Sequence, residues 1–538
     1  MLFLLALLIT AADAPPAPQV AVVCSPEFRE ALLPWERHRR AQGCALHFVA
    51  PEHPAKLQTA LERLHQEKPL THVVLIGDVD ARGASGRIIG VPAFRVPAKV
   101  NVLFGSEPQI GSDTPFVDFN ADGLPDAAVG RISVDTPEQL ATVVKKIVRY
   151  ETEDNFGPWR QRVHLVAGVG GFGALIDGTL ESTAKQFLRD GVPAGYSTTM
   201  TYGSWQSPYC PNPQLFQESV IRQFNSGGLF WVYIGHGHPE RLDRMHVPGA
   251  AYPILERRDV AKLQCEQGSP IAVMLSCYTG AYDLQQDCIA EEMLRSPGGP
   301  VAVLAGSRVT MPYAMSVLSY EMLDEAFHKQ HPTLGETVLA AKRNSVAPMQ
   351  ASEPSVNSDE PRKIETREWI DGLGKILSPK AELIDDERKE HVALFNLLGD
   401  PLLRVAYPEA ITVEVSEEAR AGETLPIKIT SPLAGKGTVQ LVCRRDCLTF
   451  VPPSRSEFST AATSLEAQQK VYEKANDPRF VEHAIEIQPG KFAADIRIPD
   501  HAQGPCQVRV FIHGQDRHAL GGSDVFIRKA QAVSTARK

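Results

Sequence analysis

The stretch FWVYIGHGHPERL, residues 230–242, sets His236 and His238 between glycines at the end of an apolar, aromatic run. Histidine is the side chain that exchanges a proton near neutral pH, and it is also the commonest metal ligand. With Asp243 and His246 the pair offers a metal set. Against that, neither H-E-x-x-H spacing nor a Cys-x-x-Cys partner is present, and Gly-His-Gly is a turn rather than a rigid ligand platform. A second reactive residue, Cys277, ends the next apolar run, AVMLSCYTGAYD (272–283), again before a turn of small residues. Alone it reads as a buried core thiol. If the two runs are neighbouring parallel strands, imidazole and thiol share one sheet edge, and a nucleophilic thiol needs such a partner to become thiolate. Backbone N–H groups in the two turns then face a developing oxyanion.

The elements that must position these residues alternate along the first 400 positions. THVVLIGD (71–78), RVHLVAGVGG (162–171), GLFWVYIGHG (228–237), SPIAVMLSC (269–277) and GPVAVLAGS (299–307) are short, almost wholly apolar runs ending in Gly, Ser, Cys or Asp. Strands of that kind are buried on both faces, as in a parallel sheet covered by helices. Helical spacing falls between them, over 136–153, 182–191 and 286–296. The expected fold is α/β, doubly wound, with a mostly parallel sheet and helices on both faces; ligands then bind at the carboxyl ends of the strands. After Tyr407 the pattern changes to short alternating strands separated by turn residues, which indicates an immunoglobulin-like β-sandwich. Residues 456–476 read as a helical or loose insertion within it.

At 538 residues the chain exceeds one ordinary core. The net charge of -9, with no dense Lys/Arg block, excludes a phosphate-tracking surface as the main function, so nucleic acid is not an expected partner. The start MLFLLALLITAADA is apolar but too short to span a bilayer, and it closes with Ala12-Asp13-Ala14. It reads as a signal peptide over 1–14, with an apolar N-terminal strand as the alternative because the run lacks a preceding Lys or Arg. No later run is long enough to cross a membrane. Nine cysteines are present; export would let some pair and leave at least one thiol over.

Two further motifs have functional readings. GVGGFG, Gly168 to Gly173, follows a strand as dinucleotide-binding loops do, but no strand-end acid stands about 20 residues on. DFNADGLPD places Asp118, Asn120 and Asp122 with Gly123 in the sixth position, and ends on Asp126. That is the start of a calcium loop without its twelfth-position Glu, or an acidic surface turn.

In order, VVLIGD, VPAKVN, GSDTPF, VGRISV, a helix ending VRYE, the Gly-His-Gly strand end, the strand ending in Cys277, CIAEEML, VAVLAGS and FNLLGDPLLR resemble the gingipain-like cysteine peptidases of the caspase-like clan. The resemblance covers roughly residues 70–405. It implies a secreted or cell-surface cysteine endopeptidase acting on protein or peptide substrates, with Cys277 as nucleophile and His236 as acid/base. The oxyanion hole would be the backbone N–H groups of Gly237 and Cys277. No cofactor is required for the chemistry, and a structural calcium at Asp118, Asn120, Asp122 and Asp126 fits the family. The implied division is a signal peptide over 1–14, an N-terminal α/β subdomain over 15–70 and a caspase-like catalytic domain over 71–406 with an exposed insertion at about 346–390. An immunoglobulin-like domain follows over 407–538. The chain departs from the arginine-specific members at Val169, where they carry a Glu supporting the catalytic histidine; Glu240 or a backbone carbonyl would orient His236 instead. Asp177 is out of register with their P1-binding acid, so basic specificity is not expected. An inactive exported binding or assembly protein is the alternative, and a dinucleotide-dependent oxidoreductase a weaker one.

Overall fold

A computed structural model of the chain describes residues 17–83, 85–153, 157–168, 191–347, 366–378 and 380–530. Ten strands make its central sheet: β1 (Gln19–Val23), β2 (Ala45–Val49), β3 (His72–Ile76), β4 (Ala128–Ile132), β5 (Arg162–Ala167), β6 (Ser197–Tyr202), β7 (Phe230–Ile234), β8 (Ile271–Leu275), β9 (Ala302–Gly306) and β10 (Phe395–Leu398). Their order is β2-β1-β3-β4-β10-β9-β8-β7-β5-β6. Every pair is parallel except β9 with β10, where Gly306 stands opposite Phe395. The sheet therefore consists of two parallel halves that run in opposite directions and meet at β10.

Strand alternation divides the apolar residues between two faces. On β1, Val20 and Val22 pack with the helices α1 (Arg29–Ala41) and α3 (Pro137–Thr152), whereas Ala21 and Val23 pack with Leu57 and Leu61 of α2 (Pro54–Glu67). β3 and β8 are buried at every position, the expected consequence of being covered on both sides. Before the sandwich the described residues also form α4 (Phe216–Asn225), α5 (Ile289–Arg295), α6 (Pro312–Asp324), α7 (Leu334–Val346), α8 (Thr366–Leu377) and α9 (Ile384–Leu394). The exposed stretch expected at about 346–390 is helical where it is described, in α8 and the start of α9. Ile370 is fully buried against Tyr313 and Val317, so charge-rich composition concealed an amphipathic helix. The helix expected over 182–191 lies outside the described residues except at its last position.

The C-terminal part packs two mainly antiparallel layers, with the short segments Glu409–Ala410 and Glu418–Arg420 added in parallel to the last strand of the second of them. One contains β11 (Thr412–Glu414), β12 (Thr424–Ser431) and β15 (Gly490–Arg497); the other contains β13 (Gly435–Cys443), β14 (Arg479–Ile487), β16 (Gly504–His513) and β17 (His518–Arg528). On β12, Leu425, Ile427, Ile429 and Ser431 are buried and the residues between them exposed, the period-two signature of a strand covered on one face. The polar insertion at 456–476 forms helix α10 (Ala462–Ala475).

This sandwich docks on the outer edge of the central sheet. Arg445 donates to the carbonyls of Val192, Pro193 and Tyr196, and Tyr472 Oη meets Thr201 Oγ1 at 2.9 Å. Asn476 pairs with the edge strand β6 as a strand would: its Oδ1 accepts the Met200 N–H at 2.7 Å and its Nδ2 donates to the Met200 carbonyl at 3.0 Å.

One buried charge cluster joins the first helix to the last strand of the sheet. Asp400 accepts from the Trp35 indole N–H and from Arg39, at 3.1 Å to Nε and 2.6 Å to Nη2. Both charged side chains are inaccessible to solvent. Glu151 keeps Arg39 paired at 2.8 Å, but loss of Asp400 strands the Trp35 indole N–H and the Arg39 Nε and Nη2 donors in the interior, so Asp400→Ala is expected to lower stability by about 3 kcal/mol. Urea denaturation followed by circular dichroism checks this; a loss below 1 kcal/mol would contradict it.

Candidate active site

Phe230 to Ile234 of β7 pair one for one with Ile271 to Leu275 of β8. His236 and Cys277 each stand two residues past the last pair, so the register carries them to matching positions on strands about 4.8 Å apart. The turns are held together closely. Gly235 N–H donates to the Leu275 carbonyl at 3.3 Å. A Cβ on Gly237 would lie 2.4 Å from the Cys277 carbonyl oxygen and 2.8 Å from Thr279 Cγ2, so only glycine permits this approach. Gly235 has φ +157, and a side chain there would strike the Tyr233 hydroxyl at 2.7 Å.

Each reactive residue has its own support. Tyr233 is fully buried, donates from Oη to the His236 carbonyl at 2.6 Å and accepts the Asp243 N–H at 3.2 Å, which fixes the histidine turn from beneath. Burial pushes that phenol well up, so it remains a donor. The half-buried Cys277 sulfur accepts the Thr310 N–H at 3.3 Å and lies 3.5 Å from Thr310 Oγ1. Tyr278, the next residue, has φ +60, a left-handed conformation unusual for an aromatic residue. It is held there by an N–H bond to the Arg308 carbonyl and by its hydroxyl, which donates to Glu107 at 2.7 Å. Arg308 is itself fixed by a two-pronged pair with Asp283, at 2.7 and 2.6 Å.

The other sequence-derived residues are placed as follows. His238 and His246 are exposed, His246 on a separate hairpin, and Glu240 pairs with Arg257 at 3.8 Å. The metal set His236, His238, Asp243 and His246 does not assemble; among the described residues the cluster with metal-like spacing is Asp78, Asp135 and Asp287. Arg295 already bonds two of those carboxylates, at 2.8 Å to Asp135 and 2.6 Å to Asp287. Val169, Asp177 and all of the glycine motif beyond Gly168 lie outside the described residues.

The DFNADG loop folds around its own backbone. Asp118 accepts the N–H groups of Asp122 and Gly123 at 3.1 and 2.9 Å, and Asn120 Oδ1 accepts Asp122 N–H at 3.0 Å. Asp126 accepts from Phe119 N–H at 2.9 Å and from Arg343 at 3.2 Å. Burial, joined by repulsion from Asp122 and Asp126, raises the Asp118 carboxyl against the pull of its two N–H bonds. The donors are all oxygens, the type a hard cation such as calcium takes, but here their carboxylates stand wider than metal-like spacing and bond the loop's own N–H groups and Arg343.

Sequence reasoning did not find Thr310, Tyr233, Tyr278 or the Arg308–Asp283 pair. The available signal was an arginine standing immediately after an apolar strand in GPVAVLAGSR, where a buried charge requires a partner.

The segment carrying Thr310 depends on a neutral histidine. His391 Nδ1 donates to the Glu387 carbonyl at 2.8 Å and Nε2 accepts the Met311 N–H at 2.9 Å, at the start of α6. Desolvation lowers this imidazole from 6.5 to about 4. The unfolded chain takes up the proton near 6.5 and the folded chain near 4, so the contribution is complete above the first value and lost as pH falls to the second. Stability should decline over that window by roughly 1.4 kcal/mol per pH unit from this residue. Urea titrations of the wild type and His391→Gln across the window check it; equal slopes would contradict it.

The model of a family described as peptidase family C25 matches residues 13–406. Among solved structures, the Arg-specific cysteine proteinase gingipain R (RgpB) is similar with a TM-score of 0.53 and 15% identity, over 96% of this chain and 100% of that one. A complex of the pro- and mature domains of Porphyromonas gingivalis RgpB gives 0.52 and 15%, over 95% and 100%. A structure described only as a protease gives 0.53 and 14%, over 94% and 97%. At these identities the structures bear on fold alone. A search of curated proteins finds no match.

Proposed function

The chain belongs to peptidase family C25, a family of cysteine peptidases, and on that premise we propose that it is an exported endopeptidase working through Cys277 and His236. The observation that carries this reading is the register of β7 and β8, which sets the two residues at matching strand ends. In the proposed reaction the Cys277 thiolate attacks a peptide carbonyl carbon, and the carbonyl π electrons move to oxygen. The N–H groups of Gly237 and Cys277 stabilise that oxyanion. Collapse of the intermediate breaks the C–N bond; His236 gives its proton to the departing amine, leaving a thioester. Water then hydrolyses the thioester, and the thiol and free acid are restored. Export rests on the apolar start closed by Ala12-Asp13-Ala14. Among the described residues no helix is long and apolar enough to cross a membrane.

The deciding experiment treats the folded protein with peptidyl acyloxymethyl ketones that vary only at P1, followed by intact mass and peptide mapping. A single adduct at Cys277, absent in His236→Ala, is expected, together with loss of peptide hydrolysis in Cys277→Ala at nearly unchanged melting temperature. A folded protein that refuses every probe while Cys277 still reacts with iodoacetamide would instead be an inactive binding relative.

We also propose that Asp118, Asn120, Asp122 and Asp126 hold a structural calcium ion that takes no part in the chemistry. Chelation by EGTA should then lower the melting temperature, and added calcium should restore it. An unchanged melting curve would leave an acidic surface turn.

A further inference from the structure

Three of the nine cysteines meet in the C-terminal sandwich. Cys443, the last residue of β13, is the direct partner of Cys506 on β16 in an antiparallel pairing. The bonds around them define which kind of pair this is. Arg444 N–H donates to the Pro505 carbonyl, the next rung, whereas Cys443 N–H turns away from β16 to the Pro478 carbonyl beside β14. Cys443 and Cys506 are therefore a non-hydrogen-bonded pair, whose Cα atoms stand about 4.5 Å apart with side chains on the same face. That separation lies within the range a disulfide spans. Both thiols are buried, at 3% and 1% exposure.

The third thiol opens the cluster to solvent. Cys447 closes the turn that follows β13, with its N–H on the Arg444 carbonyl at 2.8 Å, and it is partly exposed. Its thiol donates to Asp446 Oδ1 at 3.7 Å and lies close enough to the Cys443 thiol for each to perturb the other electrostatically. The turn is fixed: Arg444 holds Asp446 through two bonds, at 2.6 and 2.8 Å, and Arg445 anchors the same loop to the segment before β6.

We propose that Cys443, Cys447 and Cys506 are a disulfide-forming site, in which Cys447 receives oxidising equivalents and Cys443–Cys506 is the final cross-strand bond. The oxidant is a small-molecule disulfide. The Cys447 thiolate attacks one of its sulfurs, forming a mixed disulfide and releasing one donor thiol. Cys443 attacks the Cys447 sulfur and releases the second donor thiol. Cys506 then attacks Cys443, and Cys447 returns to the thiol. Overall two protein thiols give two electrons and two protons to one donor disulfide, which becomes two thiols. Desolvation raises Cys443 and Cys506 to about 12, and desolvation together with the Asp446 charge raises the more exposed Cys447 as well. Their thiolates are scarce at neutral pH, so internal transfer is slow and the finished bond exchanges slowly. The bond would tie β13 to β16 directly beside the loop that holds the sandwich on the catalytic sheet.

The test uses the full chain carrying Cys277→Ala, so that this thiol does not compete. The protein is reduced, exposed natively to oxidised glutathione, quenched, alkylated and mapped. The expected product is lighter than the reduced chain by about 2 Da, the two thiol hydrogens. It carries a Cys443–Cys506 cross-link and alkylated Cys447, and melts at higher temperature than the reduced form. Cys447→Ser should reach the same bond at least tenfold more slowly. Alkylation at all three positions of the folded protein, a glutathione adduct retained on Cys447, or Cys443–Cys447 as the end product would each overturn the proposal.

Discussion

The pairing of Ile234 with Leu275 is the constraint on which the rest of the site depends. Side-chain direction in a strand reverses at every residue, so a slip of one position would send His236 and Cys277 to opposite faces. The flanking contacts protect that register. Gly237 leaves no room between the turns, Tyr233 fastens one from below, and Thr310 meets the sulfur from the next strand. Two residues far apart in the chain are set beside each other by a ladder of backbone bonds, with side chains only trimming the result.

The segments that gave the family resemblance are also the nodes of the buried polar network. Arg131 of VGRISV forms a two-pronged pair with Asp113 of GSDTPF, and Asn396 of FNLLGDPLLR accepts the Asp113 N–H at 2.9 Å. Val100 and Asn101 of VPAKVN donate their N–H groups to Glu390, both at 3.0 Å. Buried ion pairs of this kind add little net stability, because desolvation offsets attraction, but a wrong arrangement leaves charges stranded. They act here as alignment devices: each polar partner fits at one place, so the segments that carry them can pack together in one arrangement.

Much of this was legible in the chain. Continuous apolar runs announced buried strands, strict alternation announced the sandwich, and glycines beside His236 and Cys277 marked tight turns at strand ends. Direction was not legible: periodicity is the same for a strand read either way, so the reversal at β10 emerged only from pairing. The pairing of β1 with β3 likewise carries one sheet across residue 70, the boundary that the family resemblance implied. Thr310 reaches the thiol, and Glu107 the neighbouring Tyr278, through tertiary contacts with no local signature. In α8, Arg367, Glu368 and Asp371 around Ile370 hid a helix that buries Ile370 against Tyr313 and Val317.

The Asn476 amide on Met200 has a consequence for the life of the protein among its own copies. A ten-stranded sheet ends in a row of unpaired N–H and carbonyl groups, a template on which another chain can add a strand. Asn476 reads that template and closes it with one side chain, while the sandwich it belongs to stands in front. The C-terminal domain thus serves as a guard rail for the sheet it leans on. A chain cut off near Tyr407 would keep His236 and Cys277 yet present β6 without that cover, an edge on which a second copy could add a strand.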